Sequence, residues 1–517
     1  MVKHSEKFRS NNRTIAKNTF LLYIRMFFLI LVQLYTVPII LRTLGIEDYG
    51  IYNVVGGVVS MFSFIGTSLA SASQRFISFS LGKGNREELV GVFNTTVTIY
   101  YIIAGISFLF LELVGSCFLN FKMNIPADRL YAANWVFQLS LLSFLINLTS
   151  IPYHSAVIAH ERMALFAYLG VVECSMKLLI AISLPLFLYD HLIVYSVLLC
   201  AVAALVRIAY QVYCYRNFVE CRTFRIKFDS LSGSRMLSYT GWNMIGSVAL
   251  ILRQQGLNIV LNLFFGPLLN AAHSIAQQLN GVLTQFINNI YMASRPPMTK
   301  LYATGQIEEM WTLVKRSSKM SFFLLTYVSV PAFIELDFIL KLWLGNVPQY
   351  TVSITKLFIA ALLVETLVNQ LIGVFQSANK IKMYQLCSST ILLLVVPASY
   401  CSLLVFSDDP LLPYWISLGI SFFYISSIMY VAKVCVGLDL QDYLKQVILR
   451  IIGVFSFSFV FVCLCVCLME TSLLRVVLTT VLSFVSVTVC IWLIGMKQDE
   501  RNFVKDMIIK KIRNEQS

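Results

Sequence analysis

Fourteen apolar runs of about twenty residues follow one another along this chain, at roughly 17–41, 49–70, 89–116, 131–158, 165–188, 191–215, 237–263, 270–293, 318–340, 354–376, 385–406, 411–433, 447–469 and 472–495. A run of about that length spans the hydrocarbon core of a bilayer as one helix. Composition agrees: 58% of the 517 residues are hydrophobic and 13% charged, with mean hydropathy +0.76, whereas soluble domains carry about 25% charge. The expected fold class is therefore all-α, a polytopic membrane protein of about fourteen transmembrane helices. The first run is too long for the apolar region of a signal peptide, so it should persist as a helix.

Charge sets the expected orientation. The N-terminal tail carries Lys3, Lys7, Arg9, Arg13 and Lys17, and six Lys and Arg follow the last run. With both termini cytoplasmic, the outer loops hold just Arg42, Lys122, Arg129, Lys341 and Arg475, the asymmetry of the positive-inside rule. The net charge of +14 thus reports topology, and no nucleic-acid partner is expected. The outer loops, the longest at 117–130 and 337–353, are too short for an extracytoplasmic catalytic domain. Inner loops at 71–88, 216–235 and 294–319 are longer and basic. Trp135, Tyr189, Trp343, Tyr350, Tyr414 and Trp415 fall where outer helix ends should lie and read as interfacial anchors. Val504, Ile508 and Ile512, set among Lys505, Lys510, Lys511 and Arg513, describe an amphipathic tail suited to the inner membrane surface.

The twelve cysteines form no C-x-x-C pair. Cys463, Cys465 and Cys467 point three ways on a helix, which does not suit one metal. Neither a metal nor an organic cofactor is expected.

Part of the chain recurs 221 residues downstream. Leu44-Gly45 returns as Phe265-Gly266, and Gly84-Asn85-Arg86-Glu87-Glu88-Leu89 returns as Gly305-Gln306-Ile307-Glu308-Glu309-Met310. Duplicated bundles around a midplane site are a common plan for secondary transporters. The expected organisation is an N-lobe at 1–215 (spans 1–6), a cytoplasmic linker at 216–235, a C-lobe at 236–436 (spans 7–12), two extra spans at 437–495 and the tail at 496–517.

A charge inside a span costs about 2.5–3.5 kcal/mol on insertion scales and generally faces a partner or a cavity. Arg25, Glu173, Lys177, Arg207, Arg253 and Glu365 are such charges. Glu173 and Lys177 stand four apart and can pair. Arg207 and Arg25 can snorkel. Arg253 is deeper, on a polar stripe with Gln254, Gln255, Asn258 and Asn262, and the next helix adds His273, Gln277, Gln278 and Asn280. A guanidinium binds phosphate oxygens bidentately, and amides suit sugar hydroxyls. Glu365, near mid-span, is a candidate for H⁺ or Na⁺ coupling or for pairing with an arginine on another helix. Glu173 and Lys177 are further candidates for coupling.

The stretch from Pro38 to Asn53, with Leu44-Gly45-Ile46-Glu47-Asp48-Tyr49-Gly50-Ile51-Tyr52 at its centre, then Ser73-Gln74-Arg75-Phe76-Ile77-Ser78 and Leu81-Gly82-Lys83-Gly84-Asn85, resembles the polysaccharide-export (O-antigen flippase) family. The L-G-x-x-x-Y-G-x-Y pattern carries the likeness. That family belongs to the superfamily of multidrug, oligosaccharidyl-lipid and polysaccharide exporters. The resemblance implies two six-helix lobes with two helices behind, and movement of undecaprenyl-pyrophosphate-linked oligosaccharide, of O-antigen or capsule type, across the bacterial inner membrane by alternating access. On their charge and depth, Arg25 and Arg253 are candidate pyrophosphate ligands, with Gln254, Asn258, Gln277 and Asn280 lining the cavity. Partners would be the lipid-linked glycan, membrane lipids and other polysaccharide-assembly proteins. The alternatives are a cation-coupled multidrug exporter, which would favour acidic residues in its cavity, and a polymerase or ligase, which would need a large outer loop. The expectation is a carrier, not an enzyme.

Overall fold

A peptide group left unpaired in hydrocarbon costs several kcal/mol, so a spanning chain must close its hydrogen bonds within helices or in a closed barrel. This chain takes the helical route: in the computed structural model the described residues contain helices and turns and no strand. The structure describes residues 18–502 except 33–34, 37–38, 41, 46–47, 49–50, 53–54, 57–58, 60–61, 122–127, 223–229, 266, 345–346, 407–408, 468 and 499. The basic N-tail and the amphipathic pattern at 504–512 lie outside the described residues.

After α1 (Asn18–Val32) come α2 (Ser63–Lys83), α3 (Arg86–Phe121), α4 (Leu130–Ala159), α5 (Met163–Ser183), α6 (His191–Asn217), α7 (Ser230–Phe265) and α8 (Pro267–Ala303). Then follow α9 (Ile307–Ile334), α10 (Leu336–Leu344), α11 (Thr351–Thr366), α12 (Asn369–Ser377), α13 (Ile381–Leu393), α14 (Val395–Val405), α15 (Leu412–Val436), α16 (Leu440–Tyr443), α17 (Leu449–Val466) and α18 (Leu473–Cys490). Ten helical stretches among the described residues are long and apolar enough to span, and α11 with α12, bent by 40°, makes an eleventh. The other three expected spans correspond to α1, to the stretch leading into α2, and to α8, whose polar faces lower its hydropathy. Fourteen fits this set.

The helices outrun the apolar runs. The inner loops expected at 71–88 and 294–319 are helical as far as Lys83 and Ala303, and again from Arg86 and Ile307. Hydropathy marks where a helix leaves the hydrocarbon, not where its hydrogen bonding stops. Likewise, the outer loop at 337–353 contains most of α10.

The turns confirm the internal repeat. Gly84 closes α2 at φ +73°, and Gly305, 221 residues on, follows α8 at φ +74°, a conformation glycine adopts without steric cost. Asn85 Oδ1 then accepts from the N–H groups of Glu87 and Glu88, capping α3. The offset returns at helix starts: Leu130 with Thr351, and His191 with Leu412. Two contacts join equivalent positions directly. Arg295 Nη1 donates to Gln74 Oε1 at 3.4 Å, and a Cβ on Gly82 would sit 2.9 Å from that of Ala303.

The copies differ at one break. α4 runs on through Pro152, but its counterpart breaks between Thr366 and Asn369. Three residues are lost there: Glu161 and Asn379, left-handed at φ 60° and 57° after the two helices, are 218 apart. A break frees carbonyls that must be satisfied. The Tyr443 hydroxyl donates to Leu367 C=O at 2.9 Å and lies 3.1 Å from Ser318 Oγ.

Two compact units result, residues 1–248 with 293–307, and residues 249–292 with 308–517. The chain passes between them within α7, again within α8 and once more at the start of α9. In the second unit the extra helices are fixed to α9 at both ends. Glu335, with 1% of its side chain exposed, accepts from Arg475 Nε at 2.9 Å and from Thr479 Oγ1 at 2.9 Å. At the other end Glu500 bonds Lys319 Nζ at 2.6 Å. Burial raises the Glu500 carboxyl, but Lys319, the Lys497 N–H and Arg316 outweigh it and hold it below its ordinary range.

Candidate functional site

Serine and asparagine are tolerated in a spanning helix because their polar groups find partners within the bundle. Along α4, Ser140, Ser143, Asn147, Ser150 and His154 recur at alternating steps of three and four, which puts them on one face. The first three line a cavity of about 450 Å³ inside the first unit, with Tyr52, Phe144, Glu173, Lys177 and Ser196. That volume lies within the roughly 300–1,000 Å³ of small-molecule sites. On α5, Lys177 Nζ donates to Glu173 Oε1 at 2.6 Å. Both side chains stay part-exposed, at 45% and 36%. The one ammonium and one carboxylate of the lining therefore neutralise each other beside a row of hydroxyls and an amide.

Further along α4, Ser150 Oγ and His154 Nε2 are 3.0 Å apart, and the His154 ring packs 3.9 Å from that of Tyr210. Arg25 lies over the Phe166 ring at 4.4 Å, against Gly170, where a methyl group would overlap its Nε. That Nε is buried and has no hydrogen-bond partner among the described residues.

In the second unit Arg253 meets a carboxylate. Its Nη1 lies 3.1 Å from Glu365 Oε1 and its Nη2 donates to Ser417 Oγ at 2.9 Å. Ser421 Oγ donates to the same Glu365 oxygen at 2.9 Å. The two deep charges of the sequence thus pair across α7 and α11. Gln254 is exposed, and Asn258, Gln277 and Asn280 are half-buried. No hydrogen bond joins these four side chains to the Arg253 pair among the described residues. Buried carbonyl oxygens of Asn258 and Asn280 have no partner there. The side chains of Gln255 and Asn262 lie outside the described residues.

Tyr414 is a correction. It was expected as an interfacial anchor but is 1% exposed, its hydroxyl 2.9 Å from His273 Nδ1. Trp415, the next residue on the helix and about 100° around it, is 55% exposed and suits that role.

Sequence reasoning missed Arg129. Its Nε donates to Asp48 Oδ1 at 2.8 Å and its Nη1 to Asp190 Oδ2 at 2.6 Å, while Asp190 also caps α6 through the N–H groups of Leu192 and Ile193. One guanidinium thus ties the Leu44–Tyr52 motif to the starts of α4 and α6. Burial raises the Asp190 carboxyl, but Arg129 and those two N–H groups outweigh it and hold it below the ordinary carboxylate range.

The fold is that of known transporters. A MATE protein solved in complex with MaD3S superposes with TM-score 0.67 at 14% identity, covering 82% of this chain and 96% of that one. A MOP superfamily transporter from Pyrococcus furiosus, described as having a binding pocket of reverse polarity, gives TM-score 0.65 at 13% identity, covering 81% and 96%. At such identities the likeness shows the fold alone. The Bacillus subtilis (strain 168) membrane protein EpsK, described as uncharacterized, is 22% identical over 335 residues, which are 64% of this chain; the match spans 65% of EpsK's length. The polysaccharide biosynthesis protein family matches residues 15–302, more than half of the chain and all of the motif that Arg129 holds, and to that family of multi-pass membrane proteins this chain belongs.

Proposed function

We propose that this protein carries undecaprenyl-pyrophosphate-linked oligosaccharide, of O-antigen or capsule type, across the bacterial inner membrane by alternating access, with both termini cytoplasmic. The lining of the first unit's cavity carries the reading: Ser140, Ser143, Asn147 and Ser196 beside a Glu173–Lys177 pair that is already neutral. Such a surface offers donors and acceptors to sugar hydroxyls and no unbalanced carboxylate to a cationic drug. Arg25, whose Nε–H has no hydrogen-bond partner among the described residues, would take pyrophosphate oxygens. Arg253 would do so by exchanging Glu365 for cargo, and the released Glu365 would be the seat of H⁺ or Na⁺ coupling. In the same proposal Gln254, Asn258, Gln277 and Asn280 line the path of the headgroup, and other polysaccharide-assembly proteins supply and remove the cargo.

The test is transbilayer movement in proteoliposomes, with pyrophosphate-linked lipid oligosaccharide and a cationic dye offered separately. Movement of the glycolipid, slowed at least several-fold by Ser143→Ala with Asn147→Ala, is the expected result. Movement of the dye alone, across a panel of glycans, would replace this reading with multidrug export.

A further inference from the structure

A second cavity, of about 260 Å³, lies where the end of α2, the start of α3, the end of α4 and the turn after α6 come together. Arg86, His160, Phe218, Val219 and Glu220 are among the residues that line it, and all of them belong to the first unit. Its volume is below the roughly 300–1,000 Å³ of drug-sized sites, which suits a single headgroup and not an oligosaccharide.

Glu220 is the unusual member. It is 2% exposed, and its Oε1 lies 2.6 Å from His160 Nε2. The His160 ring stacks on Phe218, with centroids 4.0 Å apart and planes 6° from parallel, which holds the imidazole and through it the carboxylate. Glu220 Oε2 makes no hydrogen bond among the described residues. An ionised carboxylate accepts through both oxygens, and burying one that is bonded on one side only is costly. Because Glu220 lines the cavity, an occupant can supply the missing donor. Arg86, which opens α3, is exposed and makes neither a hydrogen bond nor an ion pair among the described residues. The lining thus pairs a buried acceptor with an uncommitted guanidinium.

An apolar stripe leads to the same place. On α6 the exposed side chains of Leu205, Ile208, Val212 and Tyr215 recur at steps of three, four and three, so they share one face. Val219, four residues further and also exposed, is part of the cavity lining. We infer that this cavity holds the headgroup of a phospholipid that ends in a primary ammonium, as in phosphatidylethanolamine. The ammonium donates to Glu220 Oε2, Arg86 takes the phosphate, and an acyl chain lies along the α6 stripe. An ammonium has three donors and no acceptor, the complement of a carboxylate oxygen, and a guanidinium binds phosphate oxygens. With the termini cytoplasmic, as proposed above, the lipid comes from the inner leaflet; the site itself does not depend on that orientation.

Native mass spectrometry of the purified full chain in neutral detergent tests this. The probes are phosphatidylethanolamine, phosphatidylcholine and phosphatidylglycerol with matched chains, and glycerophosphoethanolamine, which has none. Phosphatidylethanolamine should bind at least several-fold more tightly than the other three, since phosphatidylcholine has no N–H to donate and phosphatidylglycerol has no cation. Arg86→Gln, at an exposed side chain, and Glu220→Gln, which keeps the shape of the carboxylate, should each weaken it on the order of tenfold, as for loss of a hydrogen bond to a charged group. Should Glu220→Gln not fold, Arg86→Gln and the phosphatidylcholine comparison still decide. Equal binding of the three lipids, unchanged by Arg86→Gln, overturns the site and leaves ordinary lipid contact. Glycerophosphoethanolamine bound as tightly as the lipid overturns the lipid assignment in favour of a soluble zwitterion. A preference for phosphatidylglycerol overturns the pairing of Glu220 with an ammonium. The readout needs no transport, so selective binding without glycolipid movement would remove the transport reading and leave the site standing.

Discussion

Arg253 and Glu365, 112 residues apart on α7 and α11, hold each other at 3.1 Å, and Ser417 and Ser421 of α15 bond to the two partners. A charge in a bundle seldom stands uncompensated, because burying it alone costs several kcal/mol.

Arg253→Ala and Glu365→Ala should each destabilise the protein, and the double variant should lose less than their sum. Groups in contact typically couple by about 0.5–3 kcal/mol. Chemical unfolding in detergent measures the cycle, and strict additivity would mean that the two do not interact.

Glu335 is the most buried of the paired carboxylates described above, with 1% of its side chain exposed against Arg475 and Thr479. Glu335→Ala would strand Arg475 and should cost about 3–5 kcal/mol. Lys341→Ala, which breaks the exposed Asp337 pair, should cost less than about 1 kcal/mol. Similar melting temperatures for the two variants would contradict this ranking.

The Asp190 network predicts a pH dependence. Its carboxyl is held below the ordinary range, so its stabilisation is complete above about pH 4 and is lost as pH falls through the lower native value. Asp190→Asn should reduce the melting temperature at pH 7 and flatten the acid limb of the melting profile. An acid limb identical to wild type would show that Asp190 does not contribute to it.

At Gly82 a side chain has nowhere to go: a Cβ there would meet the Lys300 backbone at 3.0 and 3.1 Å as well as Ala303. Gly82→Leu should push α2 from the end of α8, costing about 1–3 kcal/mol, while Gly91→Leu, where a Cβ meets nothing within 4 Å, should be mild. Equal melting shifts would argue against close packing of α2 on the end of α8.

The legibility of this chain in its sequence follows the range of each interaction. Apolar runs place the helices because bilayer thickness fixes their length, and Glu173 pairs with Lys177 because four residues make one helical turn. Partners separated by many residues were hidden. Glu365 could be weighed as a coupling carboxylate or as a partner for an arginine, without naming Arg253, and Arg129 read as a loop charge although its carboxylates lie 81 and 61 residues away. The cavity was readable in principle: the three-four spacing of Ser140, Ser143 and Asn147 is plain. Serine's near-neutral hydropathy kept it from standing out, whereas the amide-rich α8 drew notice at once. The helical extensions to Lys83 and Ala303 escaped because polar helix and polar loop look alike on a hydropathy scale.

The contact between Gln74 and Arg295 bears on how such a chain can change over generations. Were the halves separate identical subunits, this position would meet its own copy across the dyad, and an arginine there would face an arginine. A glutamine tolerates its twin, since an amide both donates and accepts. Joined on one chain, the halves are free to mutate singly, and a self-matching pair can become a mismatched one in a single step. Fusion thus opens to this protein charged pairings between equivalent positions that no symmetric ancestor could have held.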